Sequence, residues 1–384
     1  MKRRPSAVNL VPACVEILED RALLSAAAAS SPAAELHHHS QQHGQILNQL
    51  STSTPVTAST IPANGDLNPY GVAFVPENFA RGGALNPGDL LVSNFNASSN
   101  LQGTGTTIVR ITPDGHTSTF FQGNAGLGLT TALGVLKNGF VIVGNLPTTD
   151  GTGATAQQGS LLILDKNGIL VATLTDSKLL DGPWDLAVND EGGRAQVFVS
   201  NVLSGTVTRI DLQVPRHGSA PKVLSETQIA SGYAHRTDAA ALLLGPTGLA
   251  FDEKTDTLFV ASTADNAVYA IPNAEHTHHD AGKGKVIYND PAHLHGPLAL
   301  VLAPNGDLIV ANGDAVNADP AHPSELVEFT QHGKFVAEFQ VDPVADGAFG
   351  IAIQVSEDGQ VRFAAVDDNT NTVSIWTLNA KHHR

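Results

Sequence analysis

The chain of 384 residues has a single cysteine, Cys14, so no intramolecular disulfide and no cysteine-based zinc site can form. Basic residues are scarce. Against 37 Asp and Glu stand 21 Lys and Arg, for a formal net charge of -16, which disfavours nucleic acid and anionic membrane surfaces as partners and favours cations. Charged residues of both signs make up only 15% of the chain and aromatics 5%, which suits a protein of tight turns and short strands better than one of solvated helices. No apolar run approaches the ~18 residues of a membrane-spanning helix, so no transmembrane segment is expected. Familiar catalytic signatures are missing too: there is no Ser nucleophile elbow, P-loop or dinucleotide fingerprint. Gly103-Thr104-Gly105 and Gly151-Thr152-Gly153 lie in insertions, and neither opens a helix.

What the chain does have is glycine (36), proline (21) and length enough to bury a substantial core. Its first sixty residues differ from the rest. A basic start, Met1-Lys2-Arg3-Arg4, leads into Leu18-Glu19-Asp20-Arg21-Ala22-Leu23-Leu24-Ser25-Ala26. That stretch resembles the L-E-x-R-x-L-L-S-A element that opens many bacterial surface and exported proteins, with Asp20 where proline is usual. The resemblance implies an extracellular or cell-envelope address, with residues 1–26 as the sorting segment. Residues 27–52 are rich in Ala, Ser, His and Gln and include His37-His38-His39; too little apolar surface is present for packing, and a disordered linker is expected. Residues 380–384 form a basic tail.

From residue 61 onward the sequence repeats. Units open on Asn68-Pro69-Tyr70-Gly71-Val72, Thr131-Ala132-Leu133-Gly134-Val135, Gly182-Pro183-Trp184-Asp185-Leu186, Gly245-Pro246-Thr247-Gly248-Leu249, Gly296-Pro297-Leu298-Ala299-Leu300 and Gly347-Ala348-Phe349-Gly350-Ile351. Equivalent positions fall 61, 53, 63, 51 and 51 residues apart. In each unit a second apolar run ends on a small polar residue, and a third alternates; a fourth closes most units. Asn138-Gly139, Asn305-Gly306 and Asp358-Gly359 between the first two runs are strong hairpin signals, because both turn residues need positive φ. Four short antiparallel strands repeated six times predict an all-β, six-bladed β-propeller over residues 53–379. The last unit supplies three strands only. Thr54–Thr60 is β-prone and is expected to pair beside residues 372–378, closing the ring.

The runs Gly248-Leu249-Ala250-Phe251, Leu258-Phe259-Val260-Ala261 and Asn266-Ala267-Val268-Tyr269-Ala270-Ile271 resemble the NHL repeat and related six-bladed propellers. One departure is that only Arg110 and Arg209 keep an arginine before the final Ile of the third strand. The resemblance implies an architecture and no particular chemistry.

Candidate site residues follow from that architecture. Asn94, Asn145, Asn201, Asn312 and Asp367 end the second strands and should gather on one face, where they would either ring a polar ligand or cation or bond the backbone of their own turns. Asp185, beside Trp184, places a carboxylate where other units carry Gly or Ala, which is costly unless it is hydrogen-bonded or meets a cation. His293 and His295 would face one side if extended and are the candidate metal ligands, for a divalent cation. His276, His278, His279 and Asp280 fall in a peripheral loop. With no convincing catalytic set, the leading expectation is an exported, non-catalytic monomeric scaffold binding a protein or glycan. The alternative is a metal-dependent lactonase-like hydrolase with its cation in the channel. Similar six-bladed enzymes of that type need a Glu with further Asn and Asp ligands, and no Glu stands at a channel-facing start here.

Overall fold

The computed structural model describes residues 44–216 and 219–378. The export-like element, residues 27–43 of the expected linker and the basic tail lie outside the described residues. Within them the chain forms six four-stranded antiparallel sheets, each in simple meander order, as the repeat requires. The innermost strands are Leu67–Phe74, Leu129–Leu136, Pro183–Asp190, Pro246–Asp252, Pro297–Leu302 and Ala348–Val355. They surround a central channel. The sixth sheet takes its outer strand from the other end of the chain: Val56 pairs with Ile375 and Ser59 with Thr372, so the closure expected from the sequence is present.

Each inner strand carries a register shift near its start, between Pro69 and Val72, Pro183 and Leu186, or Pro246 and Leu249, for example. Such a bulge bends the strand and re-aims its side chains. It also brings neighbouring inner strands very close. A Cβ at Gly248 would lie 2.7 Å from the Leu298 carbonyl of the next blade, and one at Gly71 2.9 Å from that of Thr131. This explains why the position is Gly or Ala in five units. Serine hydroxyls tie the blades there. Ser200 Oγ accepts from the Asp185 N–H and donates to the Thr247 carbonyl; Ser93 Oγ does the same between Gly71 and Thr130.

Two elements were not legible in the repeat. Residues 46–50, inside the low-complexity stretch, form a short helix whose Ile46, Leu47 and Leu50 are buried against blades five and six. Its first N–H groups donate to the buried Glu328 carboxylate at 3.0 and 2.9 Å, satisfying donors that a helix start leaves unpaired. The expectation of a disordered linker therefore does not extend to this turn. The second element is a hairpin, Arg236–Asp238 with Leu242–Leu244, inserted between blades three and four. It reaches toward blade one, where Gln102 Nε2 donates to the Ala240 carbonyl at 2.9 Å. No helix among the described residues is long and apolar enough to cross a membrane.

Candidate functional site

The inner strands start at one mouth of the channel and end at the other, and the two mouths differ. Where the strands start, a cavity of about 390 Å³ is lined by Asn68, Asn96, Asp314, Asp346 and Asp368, with Asp238 from the inserted hairpin. No Lys, Arg or His lines it. Tyr70 forms the centre of its floor. The ring stacks on Phe95 at 4.8 Å and meets Phe349 at 4.9 Å and Trp184 at 5.8 Å. These contacts fix the floor and leave the polar groups on the rim.

Three of the rim residues owe their positions to an unusual backbone conformation. Asn68, Asp314 and Asp346 have φ of 61°, 55° and 65°, the left-handed region that Asn and Asp tolerate better than other side chains. Asn68 is held by its own N–H, which donates to Asn371 Oδ1 at 2.8 Å. Asp314 Oδ2 accepts from the Ser324 and Asp346 N–H groups. Asn96 Nδ2 donates to Asn100 Oδ1, which turns the amide oxygen of Asn96 away. What remains is a set of buried oxygens without donors: Asn68 Oδ1, Asn96 Oδ1 and Asp314 Oδ1. Trp184 Nε1 is the complementary case, a fully buried N–H in the same cavity without an acceptor.

Electrostatics follow from this crowding. Burial, reinforced by the Asp367 and Asp346 charges, pushes the Asp368 carboxyl up to about 7. Asp346 is raised by burial and by Asp314; Asp314 is raised by burial, against its two backbone N–H bonds. Burial and the charges of Asp368 and Asp346 keep the Tyr70 phenol protonated. The mouth is thus an acceptor-rich, cation-poor chamber.

The residues singled out from the sequence divide into several groups. Trp184 lines the mouth, but its neighbour Asp185 lines the chamber at the opposite end. Asp185 Oδ2 accepts from the Leu249 N–H of blade four at 3.0 Å and Oδ1 from Leu186 at 2.8 Å. Asn201 and Asn312 clasp the segments entering their own blades. Asn201 accepts from Asp181 and donates to Leu179; Asn312 accepts from His295 and donates to His293. Asn94 donates to the Thr60 carbonyl, Asn145 to Ser160, and Asp367 accepts from Thr370. None of these five lines the mouth cavity.

His293 and His295 do not converge, because they sit in a turn ahead of the strand, where alternation does not apply. The His293 ring stacks on Phe335 and pairs with Asp290, whereas His295 is buried with Nε2 3.9 Å from Glu325. Among the described residues, the one trio of metal-ligating side chains with donor atoms within 4.8 Å of one another is Asp256, Glu275 and His276, on the outer surface. There Asp256 already accepts from the Glu275 N–H and pairs with His276.

No family model matches the chain, and no curated protein matches it in sequence. Solved structures do match in fold. A gluconolactonase from Xanthomonas campestris superposes with a TM-score of 0.51 at 12% identity, over 87% of this chain and 93% of that one. A calcium-binding protein, regucalcin, from Agrobacterium tumefaciens superposes with a TM-score of 0.50 at 13% identity, over 83% and 92%. At these identities the likeness establishes the shared six-bladed fold. Together with the acceptor-lined mouth it overturns the expectation of a non-catalytic scaffold, which rested on finding no converging polar set in the sequence. Polar residues that the repeat pattern passes over do line one cavity at the mouth. In these respects the chain is a six-bladed β-propeller similar in architecture to regucalcin and gluconolactonase.

Proposed function

We propose that this chain is a divalent-cation-dependent hydrolase of cyclic esters, the lactones of sugar acids being the substrate class, with its active site at the oxygen-lined mouth. One observation carries the reading: Asn68, Asn96 and Asp314, each with a buried oxygen that lacks a donor, line a chamber with further carboxylates and no basic residue. Leaving buried acceptors unpaired costs free energy, and the all-oxygen donor set is that of a hard cation such as Ca²⁺ or Mg²⁺. Asp314, Asp346, Asp368, Asn68 and Asn96 are the residues from which its ligands would come; the three carboxylates do not all bring oxygens within 4.8 Å of one another, so binding would draw them together. When bound, such an ion polarises an ester carbonyl.

The remaining roles belong to the chain itself. The rings of Tyr70 and Phe349 offer an apolar floor on which a sugar-acid ring can lie, and they exclude water from beneath it. Trp184 Nε1 is a buried donor ready for a substrate oxygen. The inserted hairpin contributes Asp238 and Leu243 to the rim, which narrows access to small ligands.

The test is lactone hydrolysis by the purified protein, followed by proton release, before and after chelation. Activity that disappears with chelator and returns with one divalent ion supports the reading. Hydrolysis no faster than the spontaneous rate with every ion tried defeats it. The Leu18–Ala26 element and the Gly-Leu-Ala-Phe type repeats support two further parts of the proposal, an envelope address and NHL-like blades. Finding the native protein in the cytoplasmic fraction contradicts the first of these.

A further inference from the structure

The opposite end of the channel holds a second chamber that the hydrolase reading does not use. Its volume is about 400 Å³, and the later halves of all six inner strands line it. Its side chains are mostly aliphatic and aromatic, including Val72, Phe74, Leu133, Val188, Phe251 and Leu302, while Thr131, Gln354 and backbone groups make about half of the exposed lining polar. Asp185 is the one ionisable carboxyl in the lining, and no Lys, Arg or His is present. Asp185 makes no ion pair among the described residues; its oxygens accept one backbone N–H each, from Leu186 and Leu249. A carboxylate offers about four acceptor positions, so about half remain open.

This position is the small-residue site of the inner-strand bulge. In the other five units it is Gly71, Ala132, Gly248, Ala299 and Gly350. The carboxylate holds blade three to blade four, but a neutral side chain does that job elsewhere in the ring without charge. What the charge adds is an electrostatic demand at the base of an apolar chamber. Burial pushes Asp185 up to about 7 even against its two N–H bonds. A small metal ion answers the demand poorly, because it needs six or more oxygens and, besides Asp185, only Tyr70, Thr131 and Gln354 bring side-chain oxygens to the lining. An organic ammonium brings its own apolar body and needs a single counter-ion.

We propose that this second chamber is a binding site for a small organic amine, its ammonium paired with Asp185 and its hydrocarbon part against the aliphatic walls. The site is separate from the oxygen-lined mouth and faces the other side of the ring. Titration calorimetry on the full-length protein at pH 8 tests it with three probes of equal length: n-hexylamine, 1-hexanol and hexanoate. Hexylamine is expected to bind at one site at least ~10-fold more tightly than hexanol, a factor worth about 1.4 kcal/mol, with no measurable hexanoate binding. Asp185→Asn should bring the amine down to the affinity of the alcohol. Because that change also touches the bond to Leu249, Leu302→Trp serves as a second variant; it takes up part of the chamber, leaves Asp185 in place, and should weaken amine and alcohol binding alike. The double variant Asp314→Asn/Asp368→Asn should bind hexylamine as the wild type does. Equal affinity for amine and alcohol, no binding of either, or loss of amine binding in the mouth variant would each overturn the proposal.

Discussion

The two ends of the channel are made from the same six strands, yet carboxylate and amide side chains gather at one and aliphatic and aromatic side chains at the other. At the end where the strands begin, the chain arrives through irregular segments and an inserted hairpin. Asn68, Asp314 and Asp346 there adopt left-handed backbone, and their side chains need not alternate with a sheet. At the other end the strands run on into hairpin turns, and regular pairing continues to Phe74, Asp252 and Leu302. Polar groups without partners are costly in a regular sheet, so that end fills with aliphatics and keeps one carboxylate, Asp185. The contrast shows where a propeller can accommodate a site rich in polar side chains: at the bulged, loop-fed starts of its inner strands. Tyr70 lines both chambers and separates the two chemistries.

The largest expected effect comes from neutralising the oxygen-lined end alone. Asp314→Asn/Asp368→Asn should lower kcat/KM for lactone hydrolysis by at least ~100-fold, about 2.7 kcal/mol of transition-state stabilisation, while thermal stability without added metal holds or rises. A variant that keeps full turnover places the chemistry elsewhere. Breaking the partition acts on stability instead of turnover, and is the largest effect expected there. Tyr70→Ala removes a buried ring packed on three others and should cost roughly 3–5 kcal/mol, read as a lower urea midpoint at unchanged slope. A cost under about 1 kcal/mol would mean that the ring is no partition.

The carbon-lined end should show itself in pH dependence. The Asp185 carboxyl titrates at about 7 in the folded protein, above its ordinary value, so between about pH 4 and 7 the native state binds the extra proton. Its contribution to stability is therefore complete below pH 4 and is lost as the pH rises through 7. Denaturation across pH 4.5–8 should show a decline of up to a few kcal/mol that Asp185→Asn flattens, and an unchanged slope in that variant excludes Asp185 as its source. The smallest effects separate two asparagines at the same end. Asn201→Ala should destabilise by roughly 1–3 kcal/mol with kcat/KM unchanged, because it unclasps Leu179 and Asp181. Asn96→Ala should leave stability within about 1 kcal/mol and weaken the activating ion. If both asparagines behave alike, the distinction between clasp and rim is wrong.

Most of the architecture was legible in the sequence, because six copies of one pattern report six copies of one sheet, and Val56–Ser59 could be assigned from the missing strand. The site was legible only in outline. The sequence reading put Asn94, Asn145, Asn201, Asn312 and Asp367 together on one rim, but none of them lines the mouth cavity, and Asn201 and Asn312 spend their amides on their own blades. The rim residues fall beside them: Asn96 two residues after Asn94, and Asp368 one residue after Asp367. Asn68, Asp314 and Asp346 all take left-handed backbone, but Asn68 does so inside the inner strand Leu67–Phe74 and the other two between strands. What no pattern gives is which polar side chains lack a partner, since that depends on contacts between blades far apart in sequence. Trp184 and Asp185 make the same point: adjacent in the chain, they belong to opposite ends of the channel.

The most direct test is anomalous diffraction from crystals grown with Mn²⁺, a scattering substitute for a hard divalent ion. The account predicts a dominant peak within coordination distance of Asp314, Asp346 or Asp368 and of the Asn68 or Asn96 amide oxygen. A peak confined to the outer trio of Asp256, Glu275 and His276, with none at the mouth, would contradict it.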